Sequence, residues 1–259
     1  MRIFATLILS LVFFFTQQAF AQKTKTETST ATAAAPAKSA FDLEESIFRE
    51  ALQFNDAFVA RVALFRMIAL KPEATYLYDT LMFLYFSTGQ YNESLTLAEK
   101  IYNKDNSKLT ALEIKAVSQQ SLGLLKEALN DFESLNSKNK NVKYLYQIAS
   151  LQYDLKRVAE CSGSINQILT MDGIEKETVP FFGQDRSRQE VSIKAAAFNM
   201  RGVLAGELGE NDLAIKSYEE ALKIAPEFAL AKNNLEVMKK RKEAVTKSSE
   251  AAKPAPAKK

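Results

Sequence analysis

The 259 residues are 47% hydrophobic and 25% charged, a balance that buries a core and suits one large domain or two ordinary ones. With no His, no Trp and a single Cys, the chain has no Ser-His or Cys-His nucleophile pair, no His-bearing zinc or iron site, no internal disulfide and no thiolate-ligated cluster. A P-loop, a GxGxxG turn, a GxSxG elbow and a DxD pair are also missing, so the sequence reads as non-catalytic, with no cofactor and no metal.

At the start, Met1-Arg2 places one positive charge before an apolar run from Ile3 to Phe15, followed by Gln17, Gln18 and Ala19-Phe20-Ala21. This order is that of a secretory signal peptide cut after Ala21. A helix of such a run reaches about 20 Å, short of the roughly 30 Å hydrocarbon core, so no stable membrane insertion is expected after cleavage. Gln22 follows the cut where a lipoprotein needs Cys. The expected product is exported, either periplasmic or secreted. Residues 22–40 are mostly Thr, Ala, Ser and Lys with one Pro, a linker composition too polar to offset chain entropy.

The net charge of +3 divides unevenly along the chain. Arg2 carries +1, the linker +2 (three basic, one acidic) and residues 239–259 carry +6 (eight basic, two acidic), which leaves the body at −6. A basic nucleic-acid-binding body is therefore not expected. The basic tail, read as disordered over 246–259, is either a solvated end or a contact for anionic lipid or wall polymer.

Between these ends the chain repeats. The clearest unit has Phe198, Arg201-Gly202, Ala205, Gly209, Ala214, Tyr218, Ala221 and Pro226. Upstream the same ladder appears as Tyr78, Leu81-Met82, Tyr85, Gly89, Ser94, Ala98 and Ile101, then as Leu112, Ala116, Gly123, Ala128, Phe132 and Leu135. A fourth copy holds Leu145, Ile148-Ala149, Cys161, Ile165 and Ile168, and the most degenerate one, at the front, holds Phe48, Ala51, Ala60, Leu64, Met67 and Pro72. The small residues Ala60, Ser94, Ala128, Cys161 and Ala214 follow at steps of 34, 34, 33 and 53. Apolar residues at three- and four-residue spacing make each unit two amphipathic helices, and a lone hairpin cannot cover its own apolar face, so neighbours must stack.

The pattern resembles the tetratricopeptide repeat, in which a large aromatic is followed by Leu-Gly, Tyr, Ala, Phe, Ala and Pro. The resemblance implies an all-α, right-handed α-α superhelical solenoid with units at about 41–74, 75–108, 109–141, 142–174 and 195–228. Residues 229–245 resemble the extra helix that caps such stacks. Arg201 and Lys115 stand where the family has Leu, so packing there is expected to turn toward Met200 and Ile114. Cys161 is read as a small buried residue.

The long step marks an insert over about 171–194. Two short apolar runs flank a polar, Gly-containing loop, the mark of a β-hairpin or an extended flap. It is read either as a passive insertion, dispensable for folding, or as a binding loop with Phe181, Phe182, Arg186 and Arg188 as contacts.

The family resemblance implies a scaffold or adaptor that binds a protein or peptide partner along its concave face. The position just after the large aromatic site would point into that groove: Glu45, Asp79, Glu113, Tyr146, Asn199 and Asn233. Tyr76, Phe83, Phe86 and Tyr153 fall one turn away on the same side. Such an acidic and aromatic trough favours a partner carrying basic residues and apolar anchors. The alternative function is a structural spacer of a cell-envelope assembly, tethered by its basic tails.

Overall fold

The computed structural model describes residues 38–182 and 187–251. The chain divides near Ser118 into an N-terminal and a C-terminal compact unit, each taken by itself below.

The N-terminal unit holds α1 (Ala40–Gln53), α2 (Ala57–Leu70), α3 (Thr75–Ser87), α4 (Tyr91–Lys104) and most of α5 (Leu109–Ser121). Ser39 starts α1 through a reciprocal capping box: its hydroxyl accepts from the Asp42 amide at 3.1 Å, and the Asp42 carboxylate accepts from the Ser39 amide at 3.2 Å. Asp56 starts α2 by accepting from the amides of Phe58 and Val59. One core cluster joins Phe41, Leu64, Met67, Leu77 and Leu81, and a second joins Met82, Ala98, Ile101, Ala111 and Ile114.

The C-terminal unit holds α6 (Leu125–Lys138), α7 (Val142–Asp154), α8 (Val158–Thr170), β1 (Thr178–Phe182), β2 (Arg188–Ser192), α9 (Ile193–Glu207), α10 (Asn211–Ile224) and α11 (Ala229–Ala251). Its helices pack in succession as hairpins, with α7 against α8 and α9 against α10, and α11 closes the order by packing on α10. The capping helix runs to Ala251, six residues past the 245 expected from sequence. Arg241 on α11 donates to the Gly206 carbonyl at 2.9 Å, placing a cation at the C-terminal end of α9 where the helix dipole is negative.

A recurring turn sets the repeat. Asn55, Gly89, Gly123, Lys156 and Gly209 all take left-handed φ, between 56° and 81°, and they follow at the same steps of 34, 34, 33 and 53. In each, the next residue donates back to the carbonyl five positions earlier, as Gln90 does to Tyr85 and Glu210 does to Ala205, which ends the first helix in a Schellman closure. The small-residue column is fully buried at all five positions. Its one hydroxyl, on Ser94, donates to the Met82 carbonyl at 3.2 Å.

At the two irregular sites Met200 and Ile114 are buried. Arg201 instead lies half-buried, donating to the Ser217 hydroxyl at 3.0 Å with its guanidinium 4.8 Å from the centre of the Phe198 ring. Desolvation pulls its pKa below the usual arginine value.

Two glycines of α9 mark close helix approach by different means. A Cβ at Gly202 would sit 2.5 Å from the buried Tyr218 ring, and one at Gly206 would meet the terminal methyl of Met238. Gly202→Ala is expected to cost about 1–3 kcal/mol through overpacking, more than the ~0.5–1 kcal/mol that alanine adds to a helix. Gly206→Ala should be neutral or mildly stabilising, because a methionine end swings aside. Denaturant unfolding of the two variants measures the contrast, and equal effects would show that Tyr218 is not confined.

The insert is an antiparallel hairpin with Val179 opposite Val191 and Phe182 opposite Arg188. It is not passive. Ile174, Val179, Val191 and Ile193 are buried in the same cluster as Leu145, Ile165 and Phe228, and the Phe181 ring packs on Phe228 at 4.8 Å. The Gln189 side chain spans the turn between α10 and α11, donating to the Glu227 carbonyl and accepting from the Ala229 amide. The expectation of a dispensable insert is therefore corrected: alternate residues of each strand complete the core of the C-terminal unit.

Candidate functional site

In the N-terminal unit the expected contact residues lie on the first helices of successive hairpins. Tyr76, Asp79, Phe83 and Phe86 follow at intervals of three, four and three along α3, which places them on one side of that helix. Tyr76 is 55% exposed. Phe83 and Phe86 are half-buried against the Met82–Ala98 cluster, and Phe86 meets Tyr91 edge-on at 5.8 Å. Their rings thus serve the core with one side and present the other.

The acids of this column are already engaged within the chain. Asp79 pairs with Lys108 at 2.5 Å, both partly buried, and Glu45 pairs with Arg49 at 2.7 Å one turn along α1. Glu113 is half-buried on α5. The open acidic field read from the sequence is corrected accordingly: at Asp79 and Glu45 a basic partner would have to displace Lys108 and Arg49. Sequence reasoning missed the Asp79–Lys108 pair because its residues are 29 positions apart, outside any helical i,i+4 rule.

In the C-terminal unit the expected column is mostly closed. Tyr146 is only 2% exposed, and Tyr153 and Asn199 are buried as well. Tyr153 donates its hydroxyl to the Glu207 carboxylate, and Asn199 accepts from the Asn234 amide at 3.0 Å. Tyr146, Tyr153 and Asn199 are corrected from groove contacts to interior groups, since almost every side of α7 is covered. Asn233, on α11, is exposed.

Burial raises the Tyr146 phenol above its usual range, with the Cys161 thiolate adding to it. Burial and then the Glu207 hydrogen bond raise Tyr153. Tyr218 is pushed up to about 12, first by burial and then by Glu207. Cys161, fully buried, is pushed up to about 11 by desolvation, which makes it a packing group and not a nucleophile.

Among the insert contacts, Phe181 is turned into the core, Phe182 is 46% exposed, and Arg188 pairs with Glu190 at 2.5 Å. Arg186 lies outside the described residues, as do the expected signal peptide, most of the expected linker and the end of the tail. Of the expected insert contacts that are described, Phe182 is the apolar side chain left exposed. Among the described residues no helix is long and apolar enough to cross a membrane.

What the geometry defines, within each unit, is a series of α-α hairpins packed in succession. A family model described as the tetratricopeptide repeat matches residues 195–228. That stretch, which spans α9 and α10, accordingly carries a tetratricopeptide repeat. In fold it is similar to the crystal structure of MamA protein, with 13% identity, a TM-score of 0.57, and 73% of this chain and 93% of that one covered. It is similar also to residues 41 to the end of MamA from Desulfovibrio magneticus RS-1, with 10% identity, a TM-score of 0.57 and 73% and 97% covered. YrrB, described as a TPR protein with an unusual peptide-binding site, matches at 16% identity and a TM-score of 0.56, with 75% and 97% covered. No curated protein matches the chain in sequence.

Proposed function

We propose that this chain is an exported, non-catalytic tetratricopeptide-repeat scaffold that holds a protein or peptide partner on the α3 side of its N-terminal unit. The observation that carries the reading is the row on α3: an exposed Tyr76, a partly buried Asp79–Lys108 pair, and two half-open rings at Phe83 and Phe86. Rings held by a core at one edge are rigid anchors that cost little entropy to use. The peptide-binding description of YrrB, a fold neighbour, agrees with this use of the scaffold. The partner's chemistry follows from the row: apolar anchors for the rings, with a polar or basic group able to exchange with Lys108.

A photo-crosslinking residue in place of Tyr76 tests the site in living cells. A discrete adduct is expected there, and none from the same residue at exposed Glu93 on α4. Phe83→Ala should weaken a captured partner by about 1–3 kcal/mol while the helical signal persists. Adducts from Glu93 alone would move the site away from α3. Export is tested separately by N-terminal sequencing, which should begin at Gln22; a chain retaining Met1 to Ala21 would overturn that part.

A further inference from the structure

The second helix of every hairpin turns an outer side to solvent, and the repeats serve as controls for one another. At the position of Phe58 the later units have Asn92, Lys126, Ala159 and Asp212, and at the position of Phe65 they have Glu99, Glu133, Asn166 and Glu219, all of them exposed and none of them large and apolar. On α2 alone this side is apolar. Phe58 is 67% exposed and Phe65 51%, and Val62 and Ala69 continue the same stripe at helical spacing. Val59 and Leu70 flank it, and Phe54 at the preceding turn is 81% exposed. Four other units of this one chain show that the fold does not require such residues here.

We propose that the α2 stripe is a self-association surface, occupied by α2 of a second copy of this chain in antiparallel orientation. The order of side chains carries the choice of occupant. Read against itself, the stripe sets Phe58 of one copy over Ala69 of the other and Val62 over Phe65, so a large group meets a small one at each end. Self-complementarity of this kind is what a two-fold interface requires. The flanking charges agree, because neither arginine needs a partner from outside. Arg66 pairs with Glu44 at 3.2 Å, and Arg61 lies 5.6 Å from the centre of the Tyr85 ring. An anionic lipid surface would use such arginines; a second copy leaves them where they are. The exposed rings and flanking aliphatics offer on the order of 500 Å² of apolar surface, a sufficient centre for the roughly 800 Å² each partner of a stable complex buries.

Sedimentation equilibrium of the purified protein across the micromolar range is expected to show a dimer. Phe65→Glu and Phe58→Glu should each weaken it by about a hundredfold with the helical signal unchanged, since both rings are exposed. Phe58→Cys combined with Ala69→Cys should give a covalent dimer on mild oxidation, and neither single variant should. Buried Cys161 does not compete. A parent that stays monomeric, or a dimer indifferent to Phe65→Glu, would overturn the proposal. Binding of a monomeric parent to anionic vesicles, lost in Phe65→Glu, would overturn it in favour of lipid.

Discussion

Replacing residues 175–193 with a short Gly-Ser linker is expected to abolish cooperative folding of the C-terminal unit. The replacement removes Val179, Val191 and Ile193, all buried, and strips cover from Ile174 and Phe228. Fully burying one such side chain is worth about 1.5–3 kcal/mol, so the three together reach about 5–9 kcal/mol. That is the whole stability of many domains, about 5–15 kcal/mol. Denaturant unfolding followed by circular dichroism measures the loss. Phe182→Ala, on the opposite side of the same strand, should change stability by less than about 0.5 kcal/mol. A linker variant within about 1 kcal/mol of the parent would return the insert to a passive role.

The second large effect is alkaline unfolding of the same unit. Tyr146, Tyr153 and Tyr218 all hold their phenolic protons more tightly when folded than the ordinary value of 10 allows. The sign follows from proton counts. Below pH about 10 both folded and unfolded chains keep these protons and stability is unaffected. Above it the unfolded chain sheds them and the folded chain does not, so stability falls as pH rises from about 10 through the Tyr218 value of about 12. Each tyrosine contributes about 1.4 kcal/mol per pH unit, and the three together about 4 kcal/mol per unit. The phenolate absorbance of these three buried rings should therefore appear together with the loss of helical signal in a pH titration. Phenolate absorbance that rises to completion while the helices persist would refute the buried placement.

Much of this fold was legible in sequence because stacked helix-hairpin repeats carry their signals locally. The left-handed turns at Gly89, Gly123 and Gly209, and the small residues that open each second helix, fall at the expected steps. Lys156 and Asn55 fill the same turn without glycine, and those two turns were not read from the sequence. The insert was legible as either a β-hairpin or an extended flap, and it is the hairpin. Two-residue alternation carries its role as well: Val179 and Phe181 share one side of β1, and that side is the one turned to the core. The misplacement of Tyr146 has another origin. A helix position names a direction, and whether that direction ends in solvent depends on what else packs there, which no local pattern encodes.

The hairpin also changes the order of events during folding. Stacked helix hairpins draw nearly all their contacts from adjacent sequence, so they assemble quickly and can begin at any repeat. Gln189 reaches instead across 38 and 40 positions to Glu227 and Ala229. Closing a loop of that length costs about 3 kcal/mol of chain entropy before any contact repays it. On a growing chain, β1 and β2 emerge well before the turn that receives them. Val179 and Val191 can pack at once on the residues of α7 and α8, but the side of Phe181 that meets Phe228 stays uncovered until that turn has been synthesised.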